Sequence, residues 1–190
     1  MSDEVAKPVG RPSARKKILD TALEIIAESG LGTLTLDAVA ERAGISKGGL
    51  LYHFRLKEQL IRAANEHLVQ RRIAACEHVA SGLPDTKSRE LKAYVIACVN
   101  NSSGNDLMSK RIFAAGSLSE ESGEPIRQHF KRRFPQFADA VGFDRAALAH
   151  VATEGLWFME MFGVSPFNEA QRKQLISKIL EIVDGTDGQH

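Results

Sequence analysis

The stretch from Thr35 to Lys57, TLDAVAERAGISKGGLLYHFRLK, constrains this chain more than any other. Two short helical segments meet at Gly44 with room between them for a tight turn only. Ala38, Val39, Ala40 and Ala43 give the first segment an apolar side, and Thr35 stands where a side-chain oxygen caps its N-terminus. Ile45 packs the turn inward, and Ser46 is placed to cap the second segment. That second segment carries Lys47, Gly48, Gly49, Leu51, Tyr52 and His53 on a short body. Small residues let a helix approach another backbone closely, and polar neighbours reach phosphates and base edges. The layout is that of a helix-turn-helix whose second helix enters a DNA major groove.

Charge supports this reading through its distribution. The chain of 190 residues carries a net charge of only +1. Between Val5 and Lys57, however, nine Lys/Arg stand against five Asp/Glu, so a basic N-terminal end sits on a slightly acidic remainder. That asymmetry suits a polyanion-binding head on a body with another task. A hydrophobic fraction of 43% is enough for a substantial core. No run approaches the roughly 18 apolar residues of a membrane span, and the start lacks a secretory signature. Cytoplasm is therefore the expected compartment, with Cys76 and Cys98 as buried thiols rather than a disulfide.

Along the chain no strand pattern holds up, and the ordered segments read as helices. Residues 1–12 form a polar arm broken by Pro8, Gly10 and Pro12, whose Lys7 and Arg11 either follow a phosphate backbone or are simply solvated. Ser13 caps a helix from Ala14 to about Ser29, closed by Gly30 and striped by Ile18, Ala22, Leu23, Ile25 and Ile26. This helix packs behind the two-helix unit as the third member of a small bundle. A long helix from Lys57 to about Val79 then links head and body. Helices follow over Leu91–Val99, Leu107–Ala115 and from Pro125, with Pro135 expected to kink or split the last of these. Arg145–Phe162 and a final helix capped by Asn168 and Gln171 are apolar enough to form half of a four-helix bundle. A second copy of the chain completes that bundle, unless both helices only cover the chain's own core.

The matched positions Ile18-Leu19, Ala22, Gly30, Thr35-Leu36, Val39-Ala40, Ala43-Gly44-Ile45-Ser46, Leu50, Tyr52-His53-Phe54 and Lys57-Glu58-Gln59-Leu60 resemble the TetR (tetracycline-repressor) family. Glu154-Gly155-Leu156-Trp157 and the last helix are similar to that family's dimerisation helices. The resemblance implies an all-α homodimer joined through residues 145–183. Its two recognition helices sit one DNA turn apart on a pseudo-palindromic operator. It further implies repression that a small molecule relieves. Residues 1–57 are then the DNA-binding domain, 58–184 the ligand-binding and dimerisation domain, and 185–190 a disordered tail. Lys47, Gly48 and Gly49 match the base-facing start of the recognition helix, Tyr52, His53 and Lys57 match phosphate contacts, and Ser46 and Thr35 are additional phosphate donors. His53 equally suits the core, and Phe54 suits it better than DNA.

Three positions depart from the family pattern. Leu51 replaces a common Tyr or Phe, so it can meet a thymine methyl but not hydrogen-bond. Gly49 offers no side chain to a base. Arg55-Leu56 lacks the usual small polar cap, so the long helix is expected to fray at its start. Lys47 is left as the main direct reader, with DNA shape supplying part of the specificity.

For a ligand, Asn100, Asn101, Phe113, Phe130, Phe134, Phe137, Trp157, Phe158, Met161 and Phe162 are candidates to line an apolar cavity suited to an aromatic or acyl molecule. Each is alternatively plain core. Arg111 gains interest only if it faces that cavity. Metal and cofactor chemistry find no support. His67 and His78 lie about 16 Å apart along one helix, and no phosphate loop, nucleophile elbow or His-Glu-x-x-His is present. Rival readings are an activator of the same fold, or a helical small-molecule carrier or enzyme with a vestigial DNA head.

Overall fold

In a computed structural model, which describes residues 13–100 and 123–186, the chain is built from helices capped largely where its small polar residues fall. The arm 1–12, the helix expected over 107–115 with Arg111 and Phe113, and Asn101 lie outside the described residues, as does the side chain of Asn100. Helix α1 (Ala14–Ser29) opens with the Lys16 N–H donating to Ser13 Oγ, and Gly30 ends it at φ 86°. A 3-10 turn (Leu31–Thr33) leads to α2 (Leu36–Ala43), where the Ala38 N–H donates to Thr35 Oγ1 at 3.1 Å. Gly44 takes the left-handed conformation, φ 62° and ψ 40°, and the Ile45 N–H returns to the Ala40 carbonyl at 3.0 Å. Only glycine adopts that conformation without strain, so this residue sets the angle of the turn. Helix α3 (Lys47–His53) starts with the Gly49 N–H donating to Ser46 Oγ at 3.0 Å.

Helix α4 (Lys57–Ser81) is buried along several faces, through Leu60, Ile61, Ala64, Leu68, Val69 and Cys76. A helix buried on several sides needs several partners. On the head side it packs on α1, with Asp20 Oδ1 and His67 Nε2 2.9 Å apart; in the body it packs on α5 (Arg89–Asn100) and α6 (Glu124–Val141). Burial opposes ionisation of Asp20, but its bonds to Lys16 and His67 outweigh that and hold its carboxyl below the usual range. Helices α7 (Phe143–Phe162) and α8 (Glu169–Asp184) complete the body against α5 and each other. Arg172 of α8 binds Glu160 of α7 and donates to the Val99 carbonyl of α5 at 2.7 Å, and Lys92 reaches Asp184 at 2.5 Å. No strand occurs among the described residues.

Among the described residues the apolar interior is arranged as two clusters. One runs from Ile18, Leu34, Val39, Leu50 and Phe54 in the head, along α4, to Ile126, Trp157 and Met161 in the body. The other gathers Cys76, Leu91, Tyr94, Phe137, Ala146, Ile179 and Val183. The head is thus not walled off at residue 57, since its core continues into the body.

Three expectations need correction. Of the kink or split expected at Pro135, the split does not occur: α6 runs as one helix through it. Proline in a helix interior costs about 3 kcal/mol. Here Pro135 and Lys131, whose carbonyl loses its partner, both face outward, and the inward burial of Ile126 and Phe137 offsets the loss. The start of α4 is held rather than frayed: Gln59 Oε1 accepts the N–H groups of Arg55 at 3.1 Å and Leu56 at 3.3 Å. A side chain from inside the helix replaces the missing cap. Gly185 and Thr186, expected in the tail, instead close α8, with Gly185 at φ 73° and the Thr186 N–H on the Glu181 carbonyl at 3.1 Å. Replacing Gln59 with Ala removes both bonds and should lower stability by about 1 kcal/mol, read as a lower denaturant midpoint with unchanged slope.

Candidate nucleic-acid interface and body interior

The outer face of the two-helix unit is set by its caps. Lys47 begins α3 and extends back across the turn, so that its Nζ lies 2.9 Å from Asp37 Oδ1 and 3.2 Å from Oδ2 on α2. Both side chains remain about two-thirds exposed. Tyr52, 86% exposed, stands edge-on to His53 with ring centroids 5.2 Å apart. His53 and Leu51 are half-buried, while Phe54 is buried beneath them as core and carries the Arg15 guanidinium over its ring at 5.6 Å. The two glycines differ. A Cβ at Gly48 would meet nothing within 4 Å, whereas one at Gly49 would lie 3.2 Å from Ser46 Oγ and press on the cap. Gly49 therefore serves the helix start, and Gly48 leaves open backbone at the surface. The face gathers Ser46, Lys47, Gly48 and Tyr52 on one short helix, with Thr35 occupied as a cap and Lys57 at the start of α4.

Inside the body the structure separates the aromatic residues expected around one cavity. Trp157 and Met161 are buried with the head-side cluster, and Phe130 packs against it half-buried. Phe137 is buried in the second cluster, with Phe134 packed beside it. Phe158 and Phe162 do not line an interior at all. They are 53% and 56% exposed, with ring centroids 4.5 Å apart on the outer side of α7. A step of one residue turns a helical side chain by about 100°, so Trp157 faces in and Phe158 faces out.

What the aromatic residues surround is an ion pair that sequence reasoning missed. Arg72 of α4, its side chain only 14% exposed, donates from one guanidinium nitrogen to Glu154 Oε1 at 2.5 Å, Tyr94 Oη at 3.1 Å and Cys98 Sγ at 3.0 Å. Tyr94 also donates its hydroxyl to Glu154. The guanidinium carbon lies 5.2 Å from the Tyr94 ring centroid, 5.7 Å from Phe130 and 5.8 Å from Trp157. Burial disfavours the charged arginine, but Cys98, Tyr94 and Glu154 more than compensate and keep it protonated well above its ordinary range. Burial raises the Tyr94 hydroxyl far above its usual value, so it stays a donor. His150 stacks on Tyr94 at 5.4 Å and touches Phe130 and Phe134, and its Nδ1 is buried without a hydrogen-bond partner. Burial pushes the His150 imidazole below its ordinary pKa, against the pull of Glu154. The signal was present: Glu154 stands in the most apolar of the described helices, where a carboxylate that turns inward needs a partner.

Beside this cluster a groove of about 370 Å³ opens between α4 and α6, lined among others by Val69, Ile73, Gln128, His129 and Arg132. Among the described residues, no three His, Cys, Asp or Glu side chains stand together as a metal site. No helix among them is long and apolar enough to cross a membrane.

A capped helix-turn-helix head on a long helix that enters an all-helical body defines a DNA-binding transcriptional regulator. Residues 18–64 match the family model of bacterial regulatory proteins, tetR family, and residues 88–184 match the tetracyclin repressor-like C-terminal domain. The chain belongs to the TetR family. It is 26% identical over 184 residues to the HTH-type transcriptional regulator BetI of Burkholderia thailandensis, covering 91% of this chain and 94% of the relative. A transcriptional regulator from Rhodococcus sp. Rha1 shares the fold with a TM-score of 0.73 at 22% identity, over 92% of this chain and 98% of that one. The multidrug binding protein EbrR, solved with malachite green, does so at 0.67 and 17%, over 88% and 98%.

Burial, with Arg72 and Arg133 nearby, lowers His129 from 6.5 to about 4. Below about pH 6.5 the unfolded chain takes up a proton that the folded chain refuses, so stability present above that pH is lost as pH falls toward 4. Partial exposure reduces the effect to about 1–2 kcal/mol. A His129→Gln variant should lack this share of the decline when denaturant midpoints near pH 7 and about pH 4.5 are compared.

Proposed function

We propose that this chain is a homodimeric repressor that binds a pseudo-palindromic operator and lets go when a small molecule occupies its body. The observation that carries the reading is the exposed start of α3, where Lys47, open backbone at Gly48 and Tyr52 stand together at the head end of α4. Lys47 reads a base edge, Ser46 and Thr35 supply phosphate donors, and Tyr52, His53 and Lys57 hold the flanking backbone, with Gly49 and Leu51 allowing close approach. Residues 1–57 act as the DNA-binding unit, with the arm 1–12 following the duplex, and 58–184 as the sensing and dimerising unit. The cytoplasm is the setting for such a regulator. EbrR's complex with malachite green supports a small-molecule effector in a body of this fold.

Dimerisation is supported by the outer face of α7. Leu148, Val151, Phe158 and Phe162 are each more than half exposed, with Gly155 between them, at spacings of three, four, three and four. That is the seam of a helix pair, and an apolar strip of this kind on a water-soluble body calls for a partner. A second copy supplies the same strip by a two-fold axis, with Ile176 and Leu180 of α8 half-buried alongside. Effector control requires that the ligand prefer the state in which the two heads are wrongly spaced, because equal affinity for both states shifts nothing.

Fluorescence anisotropy on the DNA beside its own gene tests the reading. Specific binding should weaken steeply with salt, and Lys47→Ala should cost about 1–3 kcal/mol at fixed salt. Unchanged affinity removes Lys47 from the interface. Val151→Glu, at a position 68% exposed, should leave the fold intact but yield a monomer by light scattering, with operator binding reduced at least as much as by Lys47→Ala. A Val151→Glu dimer places the interface elsewhere.

A further inference from the structure

We propose that the aromatic box of Tyr94, Phe130 and Trp157, closed by the Glu154 carboxylate, is a binding site for a flat organic monocation, and that Arg72 is the internal occupant such a ligand displaces. The control this gives rests on the effector reading above; the binding does not.

The box already holds a cation, and its chemistry is suited to one. Three rings lie 5.2 to 5.8 Å from the guanidinium carbon, within the range at which aromatic rings attract positive charge. Glu154 supplies the negative charge, steadied by the Tyr94 hydroxyl. An anion here would face the same rings and the same carboxylate. Planarity follows from the present occupant, since a planar guanidinium meets these rings and the carboxylate together. The ligand needs N–H groups for Glu154, which favours an amidinium, guanidinium or arylammonium over a fully substituted ammonium. His150 Nδ1, buried and without a hydrogen-bond partner, provides an acceptor that the arginine does not use.

The displaced arginine has an outlet. Val69 and Ile73, three residues before and one after Arg72 on α4, line the groove between α4 and α6, and that groove is the outlet into which the displaced side chain would swing. Displacement also has a mechanical result. Arg72 stands on the helix that begins at the head, and Glu154 on the helix whose outer strip is the proposed dimer seam. A cation that takes Glu154 for itself cuts the ion pair joining the two.

A tethered side chain competes at an effective concentration of millimolar or more, so the wild-type chain binds weakly and a chain with the tether cut back binds tightly. Trp157 is the only tryptophan in the sequence, and its ring forms one wall of the box, so its emission reports occupancy of the intact chain. Benzamidinium should change that emission saturably, while benzamide and benzoate should not. Arg72→Ala should bind benzamidinium about tenfold more tightly than wild type, and its lowered melting temperature should rise on adding the probe. Glu154→Gln should abolish the response. Should Arg72→Ala fail to fold, Arg72→Lys keeps a charge for Glu154 but cannot lie flat on the rings, and it too should bind the probe more tightly than wild type. A response to benzoate that Arg72→Ala or Arg72→Lys weakens would mean an anion site and overturns the proposal, as does silence toward benzamidinium in every variant. Operator affinity in the same samples separates the two readings. Binding of the probe without loss of operator affinity upholds the box and removes its regulatory part, and operator binding with no Trp157 response removes the box and leaves the regulator standing.

Discussion

Helix α4 is the constraint on which the rest of the structure depends. Its 25 residues span about 37 Å. Leu60, Ile61, Ala64, Leu68 and Val69 are buried in the head-side cluster, and Cys76, further along, in the body cluster. Neither half of the chain can satisfy it alone. Without α1, the Leu60 end exposes apolar surface; without α5 and α6, the Cys76 end does. At about 25 cal/mol per Å² either exposure is a large fraction of a domain's net stability. The head is therefore held by shared packing, reinforced where Asp20 of α1 meets His67 of α4. A rotation of α4 in the body has to carry the head with it.

Arg72 sits where the two apolar clusters meet. Trp157 and Phe130 on one side of its guanidinium belong with the head-side cluster, while Tyr94 and Cys98 on the other belong with the body cluster. A buried ion pair of this kind is poor evidence of added stability, because desolvating both charges cancels most of the attraction between them. Apolar side chains of similar volume would fuse the clusters into one rigid core. If a ligand displaces Arg72 as proposed, the polar seam offers a discrete alternative, the pair made or broken, that a wholly apolar core would not. That is the property a two-state sensor requires of its interior.

The parts of this fold that could be read from the sequence are those set by neighbours within about one helical turn. Ser13, Thr35, Ser46, Asn168 with Gln171, and left-handed Gly44 all act three to five residues away, and each was found in its expected role. Where a local rule met a longer-range force, the longer-range force decided. Pro135 was overridden by the burial of Ile126 and Phe137, and the capless Arg55-Leu56 start was rescued by Gln59 from inside the helix. The interior was the least legible part. Phe158 and Trp157 look alike as aromatic neighbours on an apolar helix, and only the packing of α7 separates the outer face from the core. The Arg72–Glu154 contact joins residues 82 apart, beside an Arg71-Arg72 pair that reads as a solvated face.

The recognition face and the seam are linked by what the face lacks. Gly49 is committed to the Ser46 cap, Gly48 offers backbone alone, and Lys47 is shared with Asp37 on the neighbouring helix. If Lys47 is the base reader, as proposed, a single lysine with bare backbone around it gives one head little discrimination among base sequences, since each good side-chain contact to a base is worth only about 1–3 kcal/mol. On the proposed dimeric reading, selectivity then has to come from two heads engaging together at one fixed spacing, which multiplies two weak preferences and rejects sites of any other separation. The quantity that selects the operator is thus the distance between heads. In the proposed dimer that distance would be set by α4, which carries the head, and by α7, which carries the seam, the two helices that Arg72 and Glu154 join. On that reading a small displacement at the Arg72–Glu154 pair would change the variable to which binding is most sensitive, and a modest recognition surface and a polar interior would belong to the same mechanism.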